Sequence, residues 1–129
     1  MILIPDDALG KELIVDLHKC DINTFNIESI EQFCTDLCKE IDMTPVQRHI
    51  WKYSNEGDKP LEESMHYDGY SVCQFILTSD IVIHTWDNLR KVSLNIYSCK
   101  DYDERIAEEF CVNWFKSELV KQAITIIRY

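Results

Sequence analysis

Residues 77–86, Leu-Thr-Ser-Asp-Ile-Val-Ile-His-Thr-Trp, are the stretch that decides the fold. Ile81–Trp86 reads as a short strand, and the apolar Tyr70–Thr78 before it reads as another, so a tight turn is expected near Ser79-Asp80. Lys91–Ser98 alternates apolar with polar residues, which is typical of a strand with one buried face. The sequence therefore predicts neighbouring strands of a mostly antiparallel sheet.

The rest of the chain adds helices and outer strands to this sheet. Apolar residues three and four apart predict two amphipathic helices, and shorter apolar runs predict three further strands. The helices are Glu28–Ile41 and Asp101–Val120, and the strands are Lys11–His18, Val46–Tyr53 and Ala123–Ile127. Residues 54–69 are polar and predict a long loop.

This order of elements predicts an α+β fold in which both helices cover one face of the sheet. The other face of the sheet is then left without a covering layer and is expected to pack against a partner. A second copy of the same sheet is the simplest partner, so we expect a homodimer with an αββα arrangement.

Composition excludes several classes of function. A chain of 129 residues with 46% hydrophobic residues suits a single domain, residues 1–129. The net charge of −10 disfavours nucleic acid as a partner. There is no apolar run near the roughly 18 residues that a membrane span requires, and no secretory signal, so we expect a cytoplasmic protein without a membrane role.

The chain carries six cysteines. Without a secretory signal they are expected to be reduced thiols rather than a disulfide framework. Cys34 and Cys38 share a helix face, but two ligands do not make a zinc site, and no matching His or Cys pair stands elsewhere. No metal is expected.

Four side chains on the predicted strands can carry chemistry: Ser71, Ser79, His84 and Cys99. A hydroxyl, an imidazole and a thiol on neighbouring strands can make and use a cofactor derived from the backbone. Taken singly, each residue has a more common interpretation: a turn serine, a strand histidine and a buried thiol. Trp86 is expected in the core.

Four blocks of sequence, in the same order and at the same spacing, resemble the prokaryotic S-adenosylmethionine decarboxylases. Residues 10–21, Gly-Lys-Glu-Leu-Ile-Val-Asp-Leu-His-Lys-Cys-Asp, resemble the opening strand of that family, and residues 79–86 resemble its Ser-to-Trp block. Gly69-Tyr-Ser71 and Tyr97-Ser-Cys99 resemble its Gly-Val-Ser and Phe-Thr-Cys. The spacing of the four chemical residues agrees with the family throughout.

The resemblance implies an enzyme that cuts its own chain and uses a pyruvoyl cofactor for polyamine (spermidine) synthesis. The serine matching Ser79 attacks the carbonyl of Thr78, and elimination from the ester leaves a pyruvoyl group at the start of the second fragment. The resemblance implies that His84 transfers protons, Ser71 holds the oxyanion or ester, and Cys99 returns a proton after decarboxylation.

The chain departs from the family where substrate is bound. Asp87-Asn88 replaces the Pro-Glu whose glutamate is associated with the ribose hydroxyls, and an amide is a poorer acceptor for two hydroxyls. Asp87 is then a candidate substitute for that glutamate. Tyr53 and Met65 are the candidate counterparts of the phenylalanine that stacks on adenine.

Three functions follow from these residues. The first is decarboxylation of S-adenosylmethionine. The second is decarboxylation of a smaller basic amino acid, ornithine or arginine, because Asp80 and Asp87 suit a cationic side chain. The third is a non-processing, non-catalytic family member that binds a ligand or partner, since Thr78 and Asp80 replace the family's residues on both sides of Ser79.

Overall fold

The computed structural model describes residues 1–53 and 68–129. Within these ranges the chain forms six β-strands, two α-helices and two short 3-10 turns. The strands are β1 Gly10–His18, β2 Pro45–Tyr53, β3 Gly69–Ile76, β4 Ser79–Trp86, β5 Lys91–Ser98 and β6 Leu119–Arg128, and the helices are α1 Ile27–Glu40 and α2 Glu104–Phe115. The 3-10 turns are Ile22–Thr24 and Asp87–Leu89.

The six strands form one sheet in the order β2-β3-β4-β5-β1-β6. Every neighbouring pair in it is antiparallel. This confirms the predicted α+β class and the antiparallel sheet. Residues 54–67 of the expected loop lie outside the described residues, and β3 begins at Gly69, the last residue of the predicted loop.

Both helices pack on one face of the sheet, as predicted. In β4 and β5 every second residue is buried, and the buried set is the one that meets the helices. Phe33 of α1 packs against Phe115 of α2, with the rings tilted at a centroid distance of 4.8 Å, and this contact joins the two helices over the core. We call the opposite, half-exposed side of the sheet the open face.

The second helix is shorter than predicted. Asp103 caps it by accepting from the backbone of Arg105 and Ile106, and Lys116 ends it in a left-handed conformation, so α2 excludes the predicted ends at Asp101 and Val120. Leu119 continued the apolar spacing of the helix, but it begins β6 instead. The last strand is correspondingly longer than the predicted Ala123–Ile127, because its whole length pairs with β1.

Candidate active site

The connection between β3 and β4 is a two-residue turn that directly precedes Ser79. Ile76 pairs with Ser79 across the hairpin, so Leu77 and Thr78 form the turn. The turn predicted near Ser79-Asp80 is therefore wrong by two residues, and Ser79 is the first residue of β4. Thr78 has φ of 60°, in the left-handed region, where a β-branched residue is strained.

Ser79 faces the helices and is held by a second serine. Its side chain is buried, and its Oγ donates to Ser98 Oγ at 3.1 Å. Ser98 is 0% exposed, is the cross-strand partner of Ser79, and also accepts from the Lys100 backbone N–H at 2.9 Å. A cavity of about 190 Å³ lies beside this pair, lined by Asp42, Met43, Thr44, Ile76, Leu77, Ser79, Ser98 and Lys100.

Cys99 follows Ser98 at the same end of the sheet. It is exposed, contrary to the buried-thiol interpretation, and its Sγ lies 3.6 Å from the Tyr97 hydroxyl. This hydrogen bond, with burial adding to it, raises the pKa of Tyr97. Tyr97 pairs with Asp80, whose pKa is raised by burial and by Glu12. The thiol therefore lies beside the Tyr97 phenol, and the phenol's cross-strand neighbour is Asp80.

Ser71 and His84 form a second cluster on the open face. They are cross-strand partners, and Ser71 Oγ lies 3.0 Å from His84 Nδ1. Trp86 stacks on the imidazole at a centroid distance of 6.0 Å and donates its Nε1 hydrogen to Ser93 Oγ at 3.3 Å. A partner at Nδ1 sets the ring orientation and leaves Nε2 for proton transfer. Trp86 is thus part of the site surface rather than of the core.

Two aromatic residues of β2 border this second cluster. Trp51 pairs with Ser71 and is 68% exposed, and Tyr53 lies at a ring-centroid distance of 5.5 Å from it. Burial raises the pKa of Tyr53, while a hydrogen bond with Ser71 acts in the opposite direction. A cavity of about 410 Å³ opens here, lined by His49, Ile50, Trp51, Ser71, Val72, Cys73, Val82 and His84.

The predicted substrate-binding residues at the end of β4 also lie on this side of the site. Asp87 accepts from Thr85 Oγ1 at 3.0 Å, and burial raises its pKa. Asn88 donates to Asp68 Oδ2 at 3.4 Å. Met65, the other candidate for adenine stacking, lies outside the described residues.

The predicted site residues therefore form two groups within one chain. The first group is Thr78, Ser79 and Cys99, at the turn end of β4 and β5. The second group is Ser71, His84, Tyr53, Asp87 and Asn88. Residues 79 and 84 are five apart on one strand, about 16 Å at the usual rise per residue. Because the spacing is odd, their side chains also lie on opposite faces of the sheet.

Sequence reasoning missed three residues at these groups: Ser98, Trp51 and Trp86. Ser98 carried a signal, since it is the polar residue on the otherwise apolar buried face of β5. Trp51 carried a weaker one as an aromatic residue on an edge strand. For Trp86, residue type alone predicts a core position, and its place on the open face depends on the register of β4.

All six cysteines are free thiols. Residues 1–53 and 68–129 hold no group of three or more His, Cys, Asp or Glu side chains arranged to bind a metal ion. No helix in these ranges is long and apolar enough to cross a membrane.

Comparison with known proteins identifies the fold and the family. A crystal structure of the adenosylmethionine decarboxylase from Aquifex aeolicus superposes with a TM-score of 0.74 at 18% identity, over 94% of this chain and 91% of that one, which shows the fold. The S-adenosylmethionine decarboxylase proenzyme of Sulfolobus acidocaldarius is 27% identical over 85% of this chain and 81% of its own length. That of Sulfurisphaera tokodaii is 25% identical over 86% of this chain and 82% of its own length.

An arginine decarboxylase proenzyme from Pyrobaculum arsenaticum is also similar, 24% identical over 75% of this chain and 67% of its own length. The family model described as S-adenosylmethionine decarboxylase matches residues 11–126, nearly the whole chain. The blocks on which the sequence resemblance rested all fall within or beside this match. This chain belongs to the S-adenosylmethionine decarboxylase family.

Proposed function

We propose that this protein is a pyruvoyl-dependent S-adenosylmethionine decarboxylase of polyamine synthesis, a single domain that cuts itself between Thr78 and Ser79. The observation that carries the proposal is the conformation of Thr78, a β-branched residue at φ of 60° on the amino side of the serine. Backbone strain of this kind persists where the fold over-determines it and concentrates at functional sites.

The strain favours attack of Ser79 on its own backbone. Ser79 Oγ forms a bond to the Thr78 carbonyl carbon, the bond from that carbon to the Ser79 nitrogen breaks, and the hydroxyl proton passes to the nitrogen. A base then removes the Cα proton of residue 79, and the ester C–O bond at Cβ breaks to release the Thr78 carboxylate. Addition of water and loss of ammonia leave the pyruvoyl group.

The surroundings of Ser79 fit such a group. Residue 79 begins a strand next to a cavity of about 190 Å³, so a pyruvoyl end group there has space beside it. When present, a pyruvoyl group accepts the electrons that decarboxylation leaves on the substrate. Cys99 is exposed next to the partner of Ser79, which suits its role in returning a proton.

The separation of the two groups supports a homodimer. One chain holds Ser79 and Cys99 at one end of β4, and Ser71 and His84 lie about 16 Å away. In a two-fold dimer with open faces together, the turn end of β4 and Cys99 of one copy lie against Ser71 and His84 of the other. Each of the two sites then combines the Thr78–Ser79 bond of one chain with the imidazole of the other.

Trp51, Tyr53 and Asp87 suit a nucleoside substrate in this arrangement. An exposed tryptophan beside Ser71 offers a flat apolar surface for a base. Asp87 lies at the end of β4, where a carboxylate can accept from hydroxyls or attract a cationic sulfonium.

Arginine or ornithine decarboxylation is the second candidate function. The observation that favours it is Asn88, which stands at the position of the glutamate that the family resemblance associates with the ribose. Its side-chain amide donates to Asp68. A non-processing member that binds a ligand or partner is the third candidate, favoured by Thr78 and Asp80 in place of the residues usual in the family.

The intact mass of freshly made, denatured protein tests the proposal. Fragments 1–78 and 79–129, the second with a pyruvoyl group in place of serine, are expected, whereas Ser79→Ala remains one chain. Release of CO₂ from S-adenosylmethionine, ornithine and arginine then identifies the substrate. A wild-type chain that stays intact on long incubation would leave only the non-catalytic candidate.

Co-production of two inactive variants tests the shared site. Ser79→Ala keeps its Ser71–His84 pair, and His84→Ala keeps its Ser79, so mixed dimers restore one complete site and the His84→Ala chain is cut. The control pairs His84→Ala with the double variant Ser79→Ala/His84→Ala, which restores no site. Full cutting of His84→Ala alone would contradict the arrangement.

A further inference from the structure

We propose that Ser98 is a positioning residue for self-cleavage: its buried hydroxyl orients the Ser79 hydroxyl and relays its proton during attack on Thr78. This inference rests on the proposed self-processing and adds to it a residue that the resemblance did not assign a role. The observation behind it is the 3.1 Å hydrogen bond from Ser79 Oγ to Ser98 Oγ.

Ser98 is fixed more firmly than an ordinary serine. It is 0% exposed, it pairs with Ser79 across β4 and β5, and its Oγ accepts from the Lys100 N–H at 2.9 Å. Lys100 is itself held at its far end, where Nζ donates to the Asp42 carbonyl at 2.6 Å and to Asp42 Oδ2 at 2.9 Å. The acceptor that meets the Ser79 hydroxyl is thus fixed by the backbone rather than by a mobile side chain.

The direction of the hydrogen bond matters for the reaction. A hydroxyl has one donor hydrogen and two acceptor lone pairs. When Ser79 donates its hydrogen to Ser98, its own lone pairs are left for the Thr78 carbonyl carbon. As the Oγ–carbon bond forms, Ser98 takes up the Ser79 proton and gives up its own, so that it remains neutral while one proton moves on to the leaving nitrogen.

The same turn is held from the opposite side. Leu77 N donates to the Thr44 carbonyl at 3.4 Å, and the cavity between Thr44 and Ser98 is the one that borders Ser79. The strained residue, Thr78, therefore lies between two fixed points. Within the described residues, Ser98 is the side chain recorded in hydrogen-bond contact with the Ser79 hydroxyl. The histidine that the family resemblance implicates belongs to the second group, about 16 Å along the strand.

Four variants made by cell-free synthesis and followed by intact mass test the role. Ser98→Ala and Ser98→Val lack the hydroxyl, and Ser98→Thr restores it on the same branched shape as valine. We expect self-cleavage to slow at least about tenfold in the alanine and valine variants, the loss of one transition-state hydrogen bond, and to return to within about threefold of wild type in the threonine variant. Ser29→Ala, which loses a serine contact with Trp114 far from the turn, is the control and keeps the wild-type rate.

Hydroxylamine identifies the step affected, which a merely structural role would not change. Hydroxylamine cleaves an ester but not an amide, so it releases fragments from His84→Ala protein that has stalled at the ester. Ser98→Ala stalls before the ester and is expected to give little release. Thermal unfolding of each variant in the Ser79→Ala background shows that the folded state is retained.

Cleavage of folded Ser98→Ala and Ser98→Val at the wild-type rate would overturn the inference and leave the proposed function standing. Strong hydroxylamine release from Ser98→Ala would overturn it too, because the block would then lie after the ester. A wild-type chain that never cleaves overturns the proposed function itself, and with it any role for Ser98.

Discussion

Replacement of Thr78 by glycine is expected to slow self-cleavage because it removes strain from the precursor. Thr78 has a left-handed φ of 60° and is exposed, and its recorded side-chain hydrogen bond is a local one, from Oγ1 to the neighbouring Leu77 carbonyl at 2.6 Å. That conformation costs a residue with a Cβ about 1–2 kcal/mol, and glycine pays almost none of it. A transition state that releases this strain is favoured by the same amount, or about 5- to 30-fold in rate.

Alanine is the matched comparison for glycine at this position. Threonine also shields the carbonyl with its branched side chain, and both Ala and Gly remove that shielding, whereas only Gly removes the left-handed strain. We therefore expect Thr78→Ala to cleave at least about fivefold faster than Thr78→Gly. The assay is the fraction of intact chain against time after cell-free synthesis.

An independent measurement checks that the strain is present in the precursor. In the Ser79→Ala background, which stays a single chain, Thr78→Gly is expected to unfold with a free energy about 1 kcal/mol above that of Thr78→Ala, or about 4 °C higher in Tm. A glycine variant that is more stable than the alanine variant and yet cleaves as fast would refute the reasoning, since the strain would then play no part in the reaction.

Three further predictions concern the sheet that supports the site. Lys11→Met leaves the buried carboxylate of Glu104 without its 2.9 Å partner and should lower the unfolding free energy by about 3–5 kcal/mol, measured by urea denaturation at pH 7. Burial, the largest single influence, raises the pKa of Glu104, but the Lys11 hydrogen bond, two backbone hydrogen bonds and the Lys11 charge together outweigh it and lower the net pKa. Stability from this group is thus present above its unfolded pKa and is lost as the pH falls through the lowered value. The urea midpoint should therefore fall at acid pH in wild type and much less in Lys11→Met. Gly69→Ala places its Cβ against the Thr85 carbonyl oxygen and should lower the Tm in the Ser79→Ala background, and an unchanged Tm would show that the β3–β4 contact relaxes freely.

Much of this architecture could be predicted from alternation and spacing, because the chain carries clear periodic signals. The bounds of β5 are correct to the residue, and α1 differs from its prediction by a single residue at each end. The end of α2 could not be predicted, because Leu119 lies four residues after Phe115 and continues the apolar stripe. The left-handed Lys116 that breaks the helix has no sequence signal comparable to a glycine.

The site was harder to predict than the fold, because it depends on register. The pairing of Ser71 with His84 requires the β3–β4 turn to lie at Leu77-Thr78. A turn near Ser79-Asp80, as the residue types favoured, would give a different register and separate the two side chains. The role of Ser98 depends in the same way on the register of β4 against β5, and no local sequence pattern predicts that register.

Strand geometry explains why one chain cannot bring all its reactive groups together. Ser79 and His84 are an odd number of residues apart on β4, so their side chains point to opposite faces in any regular strand. A change of register moves both residues together and leaves this relation intact. Only a bulge between them could bring the hydroxyl and the imidazole of one chain to the same face, and β4 pairs with β3 and β5 without interruption. The same spacing that keeps His84 away from its own Ser79 therefore fits the proposed dimer, in which the imidazole comes from another chain.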